Sequence, residues 1–285
     1  MNLAGFSRYD KPLLPAALPA QRDDVDKRRP SRNTAVAVKK IRLDLLMVER
    51  GLCESREKAK RAIMAGQVLV AGQVAPKPSV EVATDAVVEL KAAEKFVSRG
   101  GHKLEAALDH FKLDVTGAVC VDIGASTGGF TDCLLQRGAA RVHAVDVGKG
   151  QLAWKLRRDR RVVVHDGVNA RHLQPGGIGE PADVVTMDAA FISLTKLLPA
   201  ANCLLKPGGT IVALIKPQFE AGPKDVGKGG VVRDEAVHAR VVESVQTFAT
   251  GVLGLRCDGV IESPLLGPAG NKEFLICLRK SKPPG

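Results

Sequence analysis

Four residues that are far apart in the sequence have the side chains to move a proton. Lys103 lies in Ser98-Arg99-Gly100-Gly101-His102-Lys103-Leu104. Asp188 follows the apolar run Val184-Val185-Thr186-Met187, Lys216 follows Leu214-Ile215, and Glu273 opens the run Phe274-Leu275-Ile276. The last three stand where strand-like segments end or begin, and Lys103 precedes the first such segment. An amine freed of its proton by burial or by a neighbouring positive charge is a general base, and a carboxylate orients the ammonium beside it. Any one of the four, taken alone, reads as half of a structural ion pair.

The second chemical feature is Asp122-Ile123-Gly124-Ala125-Ser126-Thr127-Gly128-Gly129-Phe130, a run of small residues between a strand and a helix. That is where a doubly wound sheet binds a nucleotide-like cofactor. Asp146 ends the next strand, in position to accept ribose hydroxyls. A dinucleotide and S-adenosylmethionine both suit such a loop. The glycines are spaced GxxxGG rather than GxGxxG. Asp122 also sets a carboxylate beside the loop, which repels a pyrophosphate but tolerates a sulfonium and an ammonium. The loop therefore favours S-adenosylmethionine. The expected cofactor contacts are Asp122, Gly124, Ala125, Ser126, Gly128, Gly129, Phe130 and Asp146. Asp166 and Asn169, after the third strand, could meet the adenine or serve local turns. Gly222–Gly229 has P-loop spacing, but Gly229 stands where Ser or Thr is required, so it reads as a substrate loop.

These residues need an open α/β sheet to hold them. Strand patterns fall at 119–123, 141–147, 161–165, 182–187, 210–215, 255–261 and 273–278, with helices at 193–205 and 234–248. This predicts a Rossmann-like α/β fold around a mostly parallel seven-stranded sheet. The chain divides into an arm (1–40), a small module (41–95) and the sheet domain (96–285). Its formal net charge of +11 is split as +5, +1 and +5 over these parts, which fits a polyanionic partner. The arm is Pro-rich and basic without apolar periodicity, so it is expected to be disordered. In the module, Ser55 is placed to cap a helix with Ala59, Ala62 and Ile63 on one face. Arg56, Lys58, Lys60 and Arg61 give that helix a basic surface able to meet RNA phosphates. Gln67–Val74 reads as a hairpin about Ala71-Gly72, and a strand follows at 86–90. Ser55–Ala59 together with Gly66–Gly72 resembles the S4 RNA-binding module, with Ala71 where that family often has Asn.

Several classes are disfavoured. No run approaches the roughly 20 apolar residues of a membrane span, and the N-terminus does not read as a signal peptide. The six cysteines form no CxxC pair or metal-like cluster, so no metal is expected, and a cytoplasmic location is. Asp188-Ala189-Ala190-Phe191 lacks the prolines usual in amino-group methylation, and no cysteine lies in a loop suited to carbon methylation.

Val97–Leu104, Asp122–Leu135, Asp146–Leu152, Phe191–Leu194, Lys216–Glu220 and Gly267–Glu273 together resemble the TlyA family, named hemolysins but understood as ribosomal RNA cytidine 2′-O-methyltransferases. The sheet domain is similar to FtsJ-type RNA 2′-O-methyltransferases. The resemblance implies a catalytic tetrad of Lys103, Asp188, Lys216 and Glu273. It also implies S-adenosylmethionine as cofactor and ribosomal RNA or ribosomal subunits as partner, with no membrane and no obligate protein partner. On this reading Lys216 is the general base, and Lys103 lowers its proton affinity by repulsion. The alternatives are a non-catalytic RNA-binding or ribosome-assembly factor and a membrane-active hemolysin. Ala190 departs from the family, which commonly has Ser there, and so does the stretch His165-Asp166-Gly167.

Overall fold

The computed structural model describes residues 39–91 and 94–282, which form two compact units divided between Lys91 and Ala92. The arm expected over residues 1–40 lies outside the described residues except for Lys39 and Lys40. Lys40 already belongs to the first strand.

In the N-terminal unit, β1 (Lys40–Arg42) runs into α1 (Leu43–Glu49), and α2 (Arg56–Met64) follows. Ser55 caps α2: its hydroxyl accepts the Lys58 amide at 3.3 Å. Leu43, Leu46 and Met47 of α1 pack with Ala59 and Ile63 of α2, as the i, i+3, i+4 spacing dictates. β2 (Val68–Val70) and β3 (Gln73–Val74) make the expected hairpin, with Ala71 and Gly72 at its tip at φ 48° and 78°. Two positive φ values in succession define the turn that matches strand twist. Asn tolerates the first position better than Ala does, because its side chain bonds locally. β4 (Glu81–Ala83) pairs with β1, and β5 (Val88–Leu90) pairs with β2.

The C-terminal unit begins with α3 (Gly100–His110). It continues through β6 (Val119–Ile123), α4 (Gly129–Gln136), β7 (Arg141–Asp146), α5 (Trp154–Arg157), β8 (Val162–Asp166) and β9 (Ala182–Met187). It closes with α6 (Leu198–Leu204), β10 (Leu205–Ile215), α7 (Pro217–Glu220), α8 (Glu235–Thr247), β11 (Arg256–Glu262) and β12 (Phe274–Arg279). The seven strands lie in the order β11-β12-β10-β9-β6-β7-β8. β12 runs antiparallel between β10 and β11, and the strands from β10 to β8 pair in parallel. The expected Rossmann-like α/β fold with a mostly parallel seven-stranded sheet is thus present. Alternation along the strands separates two layers. Val121 and Ile123 face Leu198, Ala201, Val237 and Val241 on one side. Cys120 and Val142 face Leu104, Leu108, Phe130 and Leu134 on the other.

The structure revises two segments. Lys103 sits in the first turn of α3, a helix absent from the sequence reading. The helix expected over 193–205 is broken: Leu194–Lys196 is a 3₁₀ turn capped by Ser193, and α6 starts afresh at Leu198. Pro199 accounts for the break, since proline lacks an N–H and fits only a first helical turn.

Candidate active site

The strand order reverses between β6 and β9, so their carboxyl ends part to open a crevice, the usual place for a ligand in such sheets. Asp188 follows β9 directly, and its amide donates to Ile123 O at 2.9 Å. Gly124, at φ 81°, lets these strand ends approach: a Cβ there would lie 2.8 Å from Asp188 O. Lys216 leaves the end of β10 and begins α7. Glu273 precedes β12, and α3 brings Lys103 to it. The four residues line one cleft of about 330 Å³, together with Ser98, Arg99, Gly100, Thr127, Ala190, Pro268 and the glycine loop. A larger hollow of about 420 Å³ between α8, β11 and β12 contains none of them.

The four are arranged as two crossed pairs. Lys103 Nζ lies 2.5 Å from Glu273 Oε2, with Glu273 almost wholly buried. Lys216 Nζ lies 2.5 Å from Asp188 Oδ1. Asp188 Oδ1 is thus taken up by the Lys216 ammonium, whereas Glu273 Oε1 is buried without a hydrogen-bond donor among the described residues. Each ammonium has its own carboxylate, the arrangement in which Asp188 and Glu273 orient Lys216 and Lys103. Glu273 thus keeps one buried oxygen without a hydrogen bond.

The loop residues divide by role. Gly124, Ala125, Ser126, Gly129 and Phe130 line the cleft. Gly128, at φ 98°, packs beneath Leu152 and Leu156, whose side chains would clash with any Cβ. Asp122 corrects the sequence reading. It is fully buried under the loop, accepting the Thr131 amide (2.9 Å), the Thr131 hydroxyl (2.7 Å) and the Thr186 hydroxyl (3.2 Å). Burial pushes its pKa up to about 7 against the effect of those bonds. It braces the loop from below and offers nothing to a cofactor cation. Asp146 accepts the Ser126 amide (2.8 Å) and the Gly148 amide (2.7 Å), one on each oxygen. This leaves one lone pair per oxygen for ribose hydroxyls. Asp166 accepts from Gly150 N and from Arg157, whose guanidinium beside it holds its pKa below the usual carboxylate range. Asn169 caps the short turn at Ala170–His172 through the Arg171 amide, so its side chain has the local role.

Sequence reasoning missed two residues beside the cleft. Phe191 is 90% exposed at φ 63°, with its ring centroid 5.0 Å from that of Phe219. Glu220 is half-buried, and its carboxylate holds Ser193 and Leu194. Their signal was available in Phe191–Leu194 and Lys216–Glu220, which were noted as motifs but not as a contact.

In the N-terminal unit the basic helix is less free than its composition suggests. Arg56 and Arg42 both bind buried Asp44, whose carboxyl their guanidiniums hold down at about 2. Lys58 pairs with Glu54 and Lys60 with Glu57. Among the described residues Arg61 has no carboxylate partner.

The description "FtsJ-like methyltransferase" matches residues 96–280, and "S4 domain" matches residues 41–88. The 16S/23S rRNA (cytidine-2′-O)-methyltransferase TlyA of Mycobacterium tuberculosis is 49% identical over 243 residues, covering 85% of this chain and 90% of its own. The chain belongs to the TlyA family of FtsJ-like methyltransferases. Hemolysin A of Brachyspira hyodysenteriae, 40% identical over 82% of this chain and 98% of its own, is another relative. Among solved structures, a candidate hemolysin from Streptococcus thermophilus aligns with TM-score 0.66 at 44% identity, over 87% of this chain and 91% of that one.

A TlyA-family enzyme uses S-adenosylmethionine, and the cleft fits it. Its wall at the glycine loop is built mostly of small residues, Gly124, Ala125, Ser126, Thr127 and Gly129, and the buried, unpartnered Oε1 of Glu273 adds negative charge that suits a cationic donor. Arg99, Lys103 and Lys216 on the same walls suit an anionic substrate.

Proposed function

We propose that this chain methylates the ribose 2′-oxygen of cytidine in ribosomal RNA, in the cytoplasm where ribosomal subunits are found. The single observation that carries this reading is the double pair Lys103–Glu273 and Lys216–Asp188 within one cleft beside the glycine loop. S-adenosylmethionine, when bound, supplies an electrophilic methyl group on a sulfonium. The residues that would hold it are Gly124, Ala125, Ser126, Gly129 and Phe130, with Asp146 for its ribose.

A ribose 2′-hydroxyl is a poor acid, so its proton must leave as its oxygen attacks. Lys216, after giving up a proton of its own, takes that proton, and Asp188, 2.5 Å from its Nζ, keeps the side chain in place. Lys103, held by Glu273, faces the oxygen as negative charge develops on it. The new O–CH₃ bond forms as the S–CH₃ bond breaks, the electron pair stays on sulfur, and the proton ends on Lys216. Positioning supplies most of the acceleration. The helix α2 gives phosphate contacts that orient the RNA, Arg61 directly and Arg56, Lys58 and Lys60 by sharing their charge between a phosphate and the carboxylates of Asp44, Glu54 and Glu57.

The test is methyl transfer from labelled cofactor to purified ribosomal subunits, with the modified ribose mapped. Transfer to a cytidine 2′-oxygen, abolished in Lys216→Ala while cofactor binding is retained, is expected. RNA binding without transfer would leave an assembly factor, and near-normal turnover of Lys216→Ala would remove the base assignment.

A further inference from the structure

The tryptophan at position 154 is the chain's only one, and it is 71% exposed. Large aromatic side chains are normally buried, because exposure forfeits their hydrophobic stabilisation. Trp154 does not project because its surroundings are loose. Leu152 and Leu156, on either side of it, are buried and pack on Gly128. The Ala153 amide donates to Thr127 O at 3.1 Å, and Thr127 lines the cleft. The ring is thus mounted on the cofactor loop itself and turned to solvent.

The charge around it has one sign. Residues 147–161 hold six basic side chains and one acidic, a net of +5, equal to the net charge of the whole of residues 96–285. Three of the cations are paired: Lys155 with Asp132, Arg157 with Asp166 and Arg161 with Asp159. Lys149, Arg158 and Arg160 are exposed and have no carboxylate partner among the described residues. The Arg158 guanidinium lies 5.7 Å from the centre of the Trp154 ring. Val147, 71% exposed, extends the apolar part.

An outward aromatic among unpaired cations, next to a catalytic cleft, has the two elements that bind single-stranded nucleic acid. A π-face stacks a base, and a basic surround follows the phosphates. We propose that this face docks a single-stranded stretch of the substrate RNA beside the target nucleotide, with one base stacked on Trp154 and phosphates on Lys149, Arg158 and Arg160. The proposal rests on the reading of the chain as an RNA methyltransferase and adds a second, separate contact to it. A duplex keeps its bases stacked on each other and cannot offer one to the ring.

Because the tryptophan is unique, its emission reports on this surface directly. The full-length protein is titrated with single-stranded oligocytidylate and with a duplex RNA of equal length, under excitation that avoids the tyrosine. S-adenosylmethionine alone is the control. Saturable quenching by the single strand, weak quenching by the duplex and little change with cofactor are expected. In methyl transfer to ribosomal subunits, Trp154→Ala should raise KM by about 5- to 150-fold with kcat kept, the loss of one stacked base. Trp154→Phe should restore most of it. Unchanged emission when oligocytidylate binding is saturated, equal quenching by duplex, or an unchanged KM in Trp154→Ala overturns the proposal. Methyl transfer by the wild type with an indifferent Trp154→Ala removes only this surface. Quenching by RNA in a protein that transfers no methyl group removes only the enzymatic reading.

Discussion

The carboxylate of Glu220 accepts the hydroxyl of Ser193 at 2.6 Å, and its other oxygen accepts the Leu194 amide at 2.6 Å. The turn that follows Lys216 is thereby fastened to the loop that follows Asp188. Lys216 and Asp188, the partners of one ion pair in the cleft, are held at a fixed spacing by a second contact one short element away. Glu220→Ala should destabilise the protein by about 1.5–3 kcal/mol, the range for bonds to a charged acceptor, and lower kcat. Glu220→Gln, which keeps one acceptor oxygen, should lose less of both. Urea denaturation and steady-state methylation measured together check this, and a kcat insensitive to both changes would argue against the coupling.

Asp122 makes stability depend on pH. Its pKa in the folded protein is raised from the ordinary 3.8 to about 7, chiefly by burial. Between those values the folded state holds a proton that the unfolded chain has lost. Its contribution to stability is therefore complete in acid and is lost as pH rises through about 7. Asp122→Asn should flatten this part of the profile. The amide can accept from Thr131 and donate to the Thr186 hydroxyl, so the fold should persist. Thermal midpoints of both proteins from pH 4 to pH 8 test the sign: the wild type should lose ground to the variant as pH rises.

Phe191 combines a left-handed backbone with an almost fully exposed ring. Neither is favourable in an isolated protein. Phe191→Gly removes the backbone cost and should stabilise the chain by up to about 1 kcal/mol. If the ring stacks on unpaired RNA at the mouth of the cleft, the same change should lower methylation of ribosomal RNA. A variant that is both more stable and fully active would show that the ring has no part in the reaction.

Ala71 carries the same kind of strain at φ 48° in the β2–β3 turn. Ala71→Asn and Ala71→Gly should each stabilise the N-terminal unit by about 0.5–1 kcal/mol. The gain should appear in the denaturation midpoint and leave kcat alone, since the turn bears no cleft residue.

What could be read in advance follows from burial. β6 and β9 are covered on both faces, so their sequences are continuous apolar runs with visible ends, and both boundaries match the structure. Lys216 and Glu273 stand at the ends of comparable runs, which is why they could be picked out. α3 was obscured because it opens with Gly100-Gly101, poor helix formers, and because its apolar positions span only three turns. β1 and β4 have three residues each, too few for a period to emerge. The Asp122 error has a different origin: a carboxylate before a glycine loop can point up to a ligand or down to the core. The residues that decide it, Thr131 and Thr186, lie one helix and one strand away. The pairing of Arg56 with Asp44 was hidden for the same reason, being a contact across 12 residues.

β12 is the last strand in the chain order of this unit, yet it lies inside the sheet, between β10 and β11. The Lys103–Glu273 contact spans 170 residues. A chain emerging from a ribosome thus displays its glycine loop, Asp188 and Lys216 long before Glu273 is made. Until β12 slots in, Lys103 has no counter-ion and β11 has no neighbour to bond with. The cleft is therefore complete only once the C-terminal unit has folded as a whole, because the residue that faces Lys103 arrives with the strand that closes the sheet.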